Sequence, residues 1–176
     1  MLFFIAFALI SGIFFTIYSA GQEIYRMSAN DPQISMARDA GELLNQGKMP
    51  AELMAKEKIN IEKSLSPFLL VYGNSGEPIS SSATLDGQIP KLPAGVFDYV
   101  RQYGEDRISW QPRENIRQAL VVVKYNNGFV AAGRSLSETE LREGQLLLQV
   151  ALAYFASLLL LGVSVWMVNT KTLSKN

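Results

Sequence analysis

The chain has 176 residues, 48% of them hydrophobic, with 16 basic and 16 acidic side chains and a formal net charge of +0. That length holds one modest domain plus anchors rather than two domains, and the neutral balance gives no electrostatic ground for binding nucleic acid. There is neither Cys nor His, which excludes a disulfide framework, thiolate and imidazole metal sites, a Ser-His-Asp triad and phosphohistidine transfer.

The chain opens on an uncharged apolar run from Leu2 to Ala20, rich in Phe and Ile, with Ser11 and Gly12 inside it. A cleaved leader wants basic residues ahead of the run and small residues at the cleavage site. Here no Lys or Arg precedes the run, and Tyr18 and Ala20 stand before Gly21. Residues 1–20 therefore read as an uncleaved transmembrane helix. Ala8, Gly12 and Thr16 recur at four-residue spacing, as do Ala153 and Ser157. Small residues so placed let helices approach closely in lipid, either to pack the two spans together or to pair two protomers.

From Gly21 to Gln46 the pattern stays helical but turns polar, with Asn30-Asp31-Pro32 as an interruption. Asp31 suits an N-cap and Pro32 a first helical position, so a new helix is expected over 31–46, with the kink as a hinge. Ile34, Ala37, Gly41 and Leu44 fall on one face of it, and Gly47 is its stop. Residues 50–62 mix Lys and Glu with Leu53, Met54, Ile59 and Ile61 and read as a second, solvated helix.

Strand signals begin after Pro67. Residues 68–72 form an apolar strand, Gly73-Asn74-Ser75-Gly76 a tight turn and residues 79–84 the antiparallel partner. Residues 85–93, holding Gly87, Pro90 and Pro93, are a loop. A short helix follows over 94–102, with Val96, Phe97 and Val100 inward and Gly104 ending it. Residues 107–111 are a third strand and 112–115 a turn. Residues 118–125 and 129–134, joined through Asn126-Asn127-Gly128, close the sheet as a hairpin. The expected fold class is α+β: an antiparallel β-sheet of about five strands with a long N-terminal helix, between two transmembrane helices.

The closing stretch carries two overlapping Ser-x-x-Glu capping boxes, Ser135 with Glu138 and Ser137 with Glu140. No Pro or Asn follows until Asn169, and Leu146 to Val168 bears no charge, a run able to span the ~30 Å hydrocarbon core of a bilayer. One continuous helix that begins in water and ends across a membrane is expected, its span over 142–168. Lys171 and Lys175 in the tail 169–176 place the C-terminus in the cytoplasm, so two spans put the N-terminus inside as well. The domain, 21–141, then lies outside.

The stretch Leu70-Val71-Tyr72-Gly73-Asn74-Ser75-Gly76-Glu77-Pro78-Ile79-Ser80-Ser81-Ser82 resembles the first hairpin of Cache-type, PAS-like extracytoplasmic sensor domains, in which an apolar strand turns through a Gly-Asn-Gly-like loop into a Ser-rich strand. Leu85-Asp86-Gly87 and Leu92-Pro93-Ala94-Gly95-Val96 fit the loop and short helix common there. The resemblance covers about Gly21 to Arg134 plus the flanking spans of bacterial sensor kinases and chemoreceptors. It implies ligand sensing in the bacterial cytoplasmic membrane. Only Asn169 to Asn176 follow the second span, with no HAMP linker, kinase or methyl-accepting region, so the resemblance implies output through a partner.

Catalytic signatures are weak. Ser80-Ser81-Ser82 lacks an activating His and reads as a solvated strand edge; Glu105-Asp106 is a turn pair; no Gly-rich phosphate loop occurs. No enzyme activity, cofactor or metal is expected. A ligand cleft has a firmer basis. With a two-residue type I′ turn at Asn127-Gly128, Val121, Val123, Tyr125, Val130, Ala132 and Arg134 share one sheet face; a three-residue loop moves Arg134 to the other. Arg134 beside Ala132 and Gly133 has the composition of a cleft with one anion anchor; alternatively the small residues admit a covering helix and Arg134 pairs with a carboxylate. Trp110, Tyr99, Arg107 and Arg117 lie on elements able to face the same cleft. Two functions follow from this: a membrane-anchored sensory module that binds a small molecule and signals through a partner, or an accessory subunit whose outer domain docks another protein. Expected partners are membrane lipid and a second protomer or a separate signalling or transport protein.

Overall fold

The computed structural model of the chain describes residues 2–173. Lys175, on which part of the expected orientation rests, lies outside the described residues, as does the side chain of Asp31. In chain order the elements are α1 (Leu2–Asn45), a 3₁₀ turn (Pro50–Leu53), β1 (Ile59–Asn60), β2 (Phe68–Gly73), β3 (Pro78–Ser81), β4 (Ala83–Thr84), α2 (Ala94–Tyr103), β5 (Glu105–Arg113), β6 (Ile116–Tyr125), β7 (Gly128–Ser135) and α3 (Ser137–Leu173). The chain clusters into two compact units, Met27–Thr139 and Met1–Arg26 with Glu140–Asn176.

The first unit is α+β. Its sheet has five strands in the order β3-β2-β7-β6-β5, every neighbouring pair antiparallel; β1 and β4 form a separate parallel pair. Successive side chains of a strand point to opposite faces, and both faces are covered. On one, Leu69, Val71, Val121, Val123, Tyr125, Val130 and Ala132 pack with Ala37, Ala40 and Leu44 of α1. On the other, Phe68, Leu70, Tyr72, Leu120, Val122, Phe129 and Ala131 pack with Val96, Phe97 and Val100 of α2 and with Ile61 and Leu92. The inward residues expected for α1 and α2 are therefore the buried ones, except that Ile34 is only partly covered.

Three local expectations are corrected. First, α1 does not break at Asn30-Asp31-Pro32; Pro32 lies inside it. A proline removes one ladder bond and crowds the preceding turn. Packing of Gln33, Ala37, Ala40 and Leu44 fixes the turns just after it, and such tertiary packing outweighs local propensity. The helix stops where expected: Gly47 has φ +93°, and the amides of Gly47 and Lys48 close on the carbonyls of Leu44 and Leu43, each at 3.1 Å. Second, residues 50–62 turn only once, over Pro50–Leu53. Ile59 and Ile61 instead donate their amides to Ser82 and Thr84 at 3.0 and 3.1 Å, because their period-two spacing buries Ile61 beside β4. Third, Ser81 and Ser82 are buried rather than solvated. The Ser82 hydroxyl accepts the Leu69 amide at 2.8 Å and the Ser81 hydroxyl accepts that of Ala83 at 2.8 Å. These bonds satisfy the backbone where the strand leaves the main sheet as β3 and joins β1 as β4.

The β6–β7 turn is Asn126-Asn127, one residue earlier than expected, with Tyr125 opposite Gly128 and Val123 opposite Val130. Neither asparagine has a positive φ, so the turn is not type I′. The displacement shifts the pairing by two positions and so preserves the face of every side chain. Gly128 is required by close approach: a Cβ there would strike the backbone of Tyr72 and Gly73. The Asn126 amide donates to the Asn45 side chain at 2.7 Å, tying this turn to the end of α1.

In the second unit, α1 carries the apolar window Phe3–Tyr25 and α3 the window Ser137–Lys171, each long and apolar enough to cross a membrane. The Ser11 and Tyr154 hydroxyls lie 3.0 Å apart, the Phe14 and Tyr154 rings stack edge-on at 5.6 Å, and a Cβ on Gly21 would meet Leu146 at 2.6 Å. The two helices thus pack through Ser11, Phe14 and Gly21. A Cβ at Gly12 would touch nothing within 4 Å, so the Ala8-Gly12-Thr16 stripe is not what packs α1 on α3.

Val121 is fully buried on the α1 side. Val121→Asp should abolish the cooperative melting of the domain, followed by circular dichroism, because an unpaired buried charge costs several kcal/mol; a parental melting curve would show that β6 is not central.

Candidate functional site

The sheet divides the six sequence-derived site residues between its faces. Tyr125, Arg107, Arg117 and Arg134 belong to the α1 side by register, since Arg107 opposes Val121 and Arg134 opposes Ala119. Trp110 packs in the α2-side core. Tyr99 projects from α2, 47% exposed, and stacks on Tyr103 with centroids 4.5 Å apart. The six do not converge.

On the α1 side the expected cleft is occupied. Ala132 is fully buried under α1, and the space beside Gly133, on the opposite face, is taken by Phe68 and Leu120. Arg134 pairs with Glu138, the second residue of α3, at 3.3 Å, so of the two readings of Arg134 the carboxylate partner describes it. Tyr125 is buried, and desolvation, followed by the negative charge of Glu77, raises its pKa. Near the β5 edge, Glu105 accepts from Arg38 of α1 at 2.8 Å and from Arg107 at 2.7 Å. Partial burial pushes its carboxyl up, but the bonds and positive charges of Arg38 and Arg107 outweigh that and hold it below the ordinary range.

On the α2 side, Tyr72, Phe97 and Phe129 form an aromatic row with centroids 5.1 and 5.0 Å apart. The Arg101 guanidinium lies 5.2 Å from the Phe129 centroid. Tyr72 donates its hydroxyl to the Pro90 carbonyl at 2.8 Å, and burial raises its pKa strongly. That bond anchors one end of a strap, residues 85–92. At the other end Asp86 (φ +55°) and Gly87 (φ +75°) form an exposed turn clasped by an ion pair between Arg113 and Asp86. Leu92, the last residue of the strap, is buried in the α2-side core.

One polar group stands out in this core. Gln118 of β6 is 1% exposed; its Nε2 donates to the Ile61 carbonyl at 3.1 Å. Among the described residues, its Oε1 is the buried side-chain polar atom without a hydrogen-bond partner. Gln118 sits between Trp110 on β5 and Ser135 on β7 in one three-strand rung. The rung leads directly to α3: Leu136 donates its amide to the Arg117 carbonyl at 2.9 Å, and Ser137 donates its own to the Ser135 hydroxyl at 3.3 Å. Trp110 was legible as a candidate. Gln118 was not, although a carboxamide directly ahead of the apolar run 119–123 is the signal that marks it. Among the described residues, no three of His, Cys, Asp and Glu gather as a metal site. No protein-family model, curated protein or solved structure matches the chain.

Because the Glu105 pKa is depressed on folding, its contribution to stability is present above the ordinary glutamate value and is lost as pH falls from ~4.3 through the lower folded value. In urea titrations the parent should therefore lose stability in that window relative to Glu105→Gln; equal acid slopes would show the Arg38–Glu105–Arg107 bridge to be idle.

Proposed function

We propose that this chain is a membrane-anchored sensory module. Its domain lies outside the cytoplasm, its two spans leave both termini inside, and it binds a small molecule and signals through a partner protein. The antiparallel sheet with the long N-terminal helix on one face supports the Cache/PAS-like reading of its hairpin, and with it a place in the bacterial cytoplasmic membrane.

The observation that carries the proposal is the junction between sheet and helix. β7 ends at Ser135 and α3 begins at Ser137; the residue between them still bonds β6, and Arg134 pairs with Glu138 across the boundary. The last rung of the sheet and the first turn of the helix share residues, with no flexible linker to absorb a strain. The same helix carries an apolar window to Lys171. On this reading α3 transmits and α1 anchors.

The chain has no Cys, so Ser164→Cys reports on α3 alone. A ligand that raises the melting temperature of the full chain should change the disulfide cross-linking rate of that Cys in membranes. Four glycines inserted after Glu140 should leave the melting shift intact and erase the change in cross-linking. Persistence of that change after the insertion would rule out transmission through α3.

A second reading, an accessory subunit whose outer domain docks another protein, draws on the side chains that fill both sheet faces and on the exposed Tyr99–Tyr103 pair. Tyrosines of this kind are enriched at interface hot spots. If docking is the function, replacing both with Ala should reduce partner co-purification at least tenfold without changing the melting temperature; unaltered co-purification removes this reading.

A further inference from the structure

We propose that Gln118 is the recognition group of a binding site for a small, uncharged ligand that presents an N–H or O–H donor, closed over by the strap 85–92. The proposal rests on the sensory reading above and names the ligand class for it.

The Nε2 end of the Gln118 carboxamide is accounted for by the Ile61 carbonyl it satisfies. The Oε1 end is not: a buried acceptor without a donor is destabilising. Its orientation is set: Nε2 faces the Ile61 carbonyl, and a flip would place two acceptor oxygens against each other. The site thus presents an acceptor, so its ligand must donate. Gln118 bonds Ile61 and opposes Trp110, and the cluster on this face of the sheet is made of hydrophobic residues, so an ion would be buried unpaired. The Trp110 indole, cross-strand from Gln118 and 8% exposed, offers a flat wall at the edge of the site. A planar amide, indole or related aromatic fits both features.

Access and readout follow from the bonds around it. Gln118 holds the Ile61 carbonyl, and the Ile61 amide holds the Thr84 carbonyl at the root of the strap. Two residues on, Asp86 is clasped by Arg113, both half exposed, and such surface pairs are weak. The strap is thus firmly held at Pro90 by Tyr72 and lightly at Asp86, where it opens. In the other direction the rung Trp110–Gln118–Ser135 ends two residues from the start of α3. A donor placed on Oε1 acts on both the strap and the helix.

The test uses the full chain in nanodiscs, in a Trp166→Phe background so that Trp110 is the remaining fluorophore. Benzamide and indole should raise the melting temperature, and benzamide should change Trp110 emission; benzoate and acetone, at equal concentration, should do neither. Gln118→Leu should weaken benzamide binding about tenfold, the loss of one neutral hydrogen bond; because it also leaves the Ile61 carbonyl without its donor, binding is compared below the melting transition of the variant. Arg113→Ala should speed both binding and release of benzamide in stopped flow, a readout that does not depend on the Gln118 variant folding. Silence of both donor probes, undiminished binding to Gln118→Leu, or unchanged rates in Arg113→Ala would each overturn the site. Binding that leaves Ser164→Cys cross-linking unchanged would keep the site and remove the sensory reading.

Discussion

Strands β2, β6 and β7 are covered on both faces, and each consecutive pair of residues along them must suit two different neighbours. Leu120, Val121 and Val122 are all fully buried, yet Leu120 and Val122 meet the α2 side while Val121 meets α1. On the α1 side the sheet offers Val71, Val121, Val130 and Ala132, small enough for a helix bearing Ala37, Ala40 and Gly41 to lie close. On the other side, where a ten-residue helix and a loop cover more unevenly, Phe68, Tyr72, Phe97 and Phe129 fill the depth. A one-residue slip would exchange these two sets. Parity along the strands is thus the constraint on which the placement of each helix depends.

Two-sided burial also sorts the polar groups. Ser81, Ser82 and Tyr72 are inside and satisfied by backbone bonds, which buried polar groups require. Charged pairs sit at the margins: Glu105 bridges Arg38 and Arg107 at the β5 edge, Asp86 meets Arg113 at the strap turn, and Arg134 meets Glu138 at the exit to α3. Gln118 is half satisfied, and it lies on the rung nearest the exit to α3. Its Nε2 serves the Ile61 carbonyl and its Oε1 has no partner.

The second unit obeys a different rule. Its helices, long and apolar enough to cross a membrane, expose Phe4, Phe15, Leu152, Phe155, Leu159 and Trp166. In a hydrocarbon solvent, helices of this kind pair through close packing and hydrogen bonds. Gly21 against Leu146 and Ser11 against Tyr154 supply one of each.

The sequence by itself determined those features that depend on neighbours along the chain. Period two in Val121, Val123, Tyr125, Val130 and Ala132 set a shared sheet face, and that held even though the turn moved by one residue, because parity survives a shift of two. The spacing of Val96, Phe97 and Val100 with Gly104 set α2 and its buried side, and the uncharged runs set two helices able to cross a membrane. What only the tertiary structure decided concerns partners distant in sequence. Pro32 stays within α1 because packing on the sheet outweighs one lost bond; Ile59 to Ile61 turn into a strand because β4 is there to pair with them. Ser81 and Ser82 are buried because the strand changes sheets at that point. Of the expected site residues, Trp110 lies in the α2-side core. Tyr125, Arg107, Arg117 and Arg134 fall on the α1 side and Tyr99 on the outside of α2, because strand order, rather than residue type, decides which side chains meet. Gln118 becomes conspicuous only when Ile61, fifty-seven residues earlier, takes one end of its amide and leaves the other without a partner.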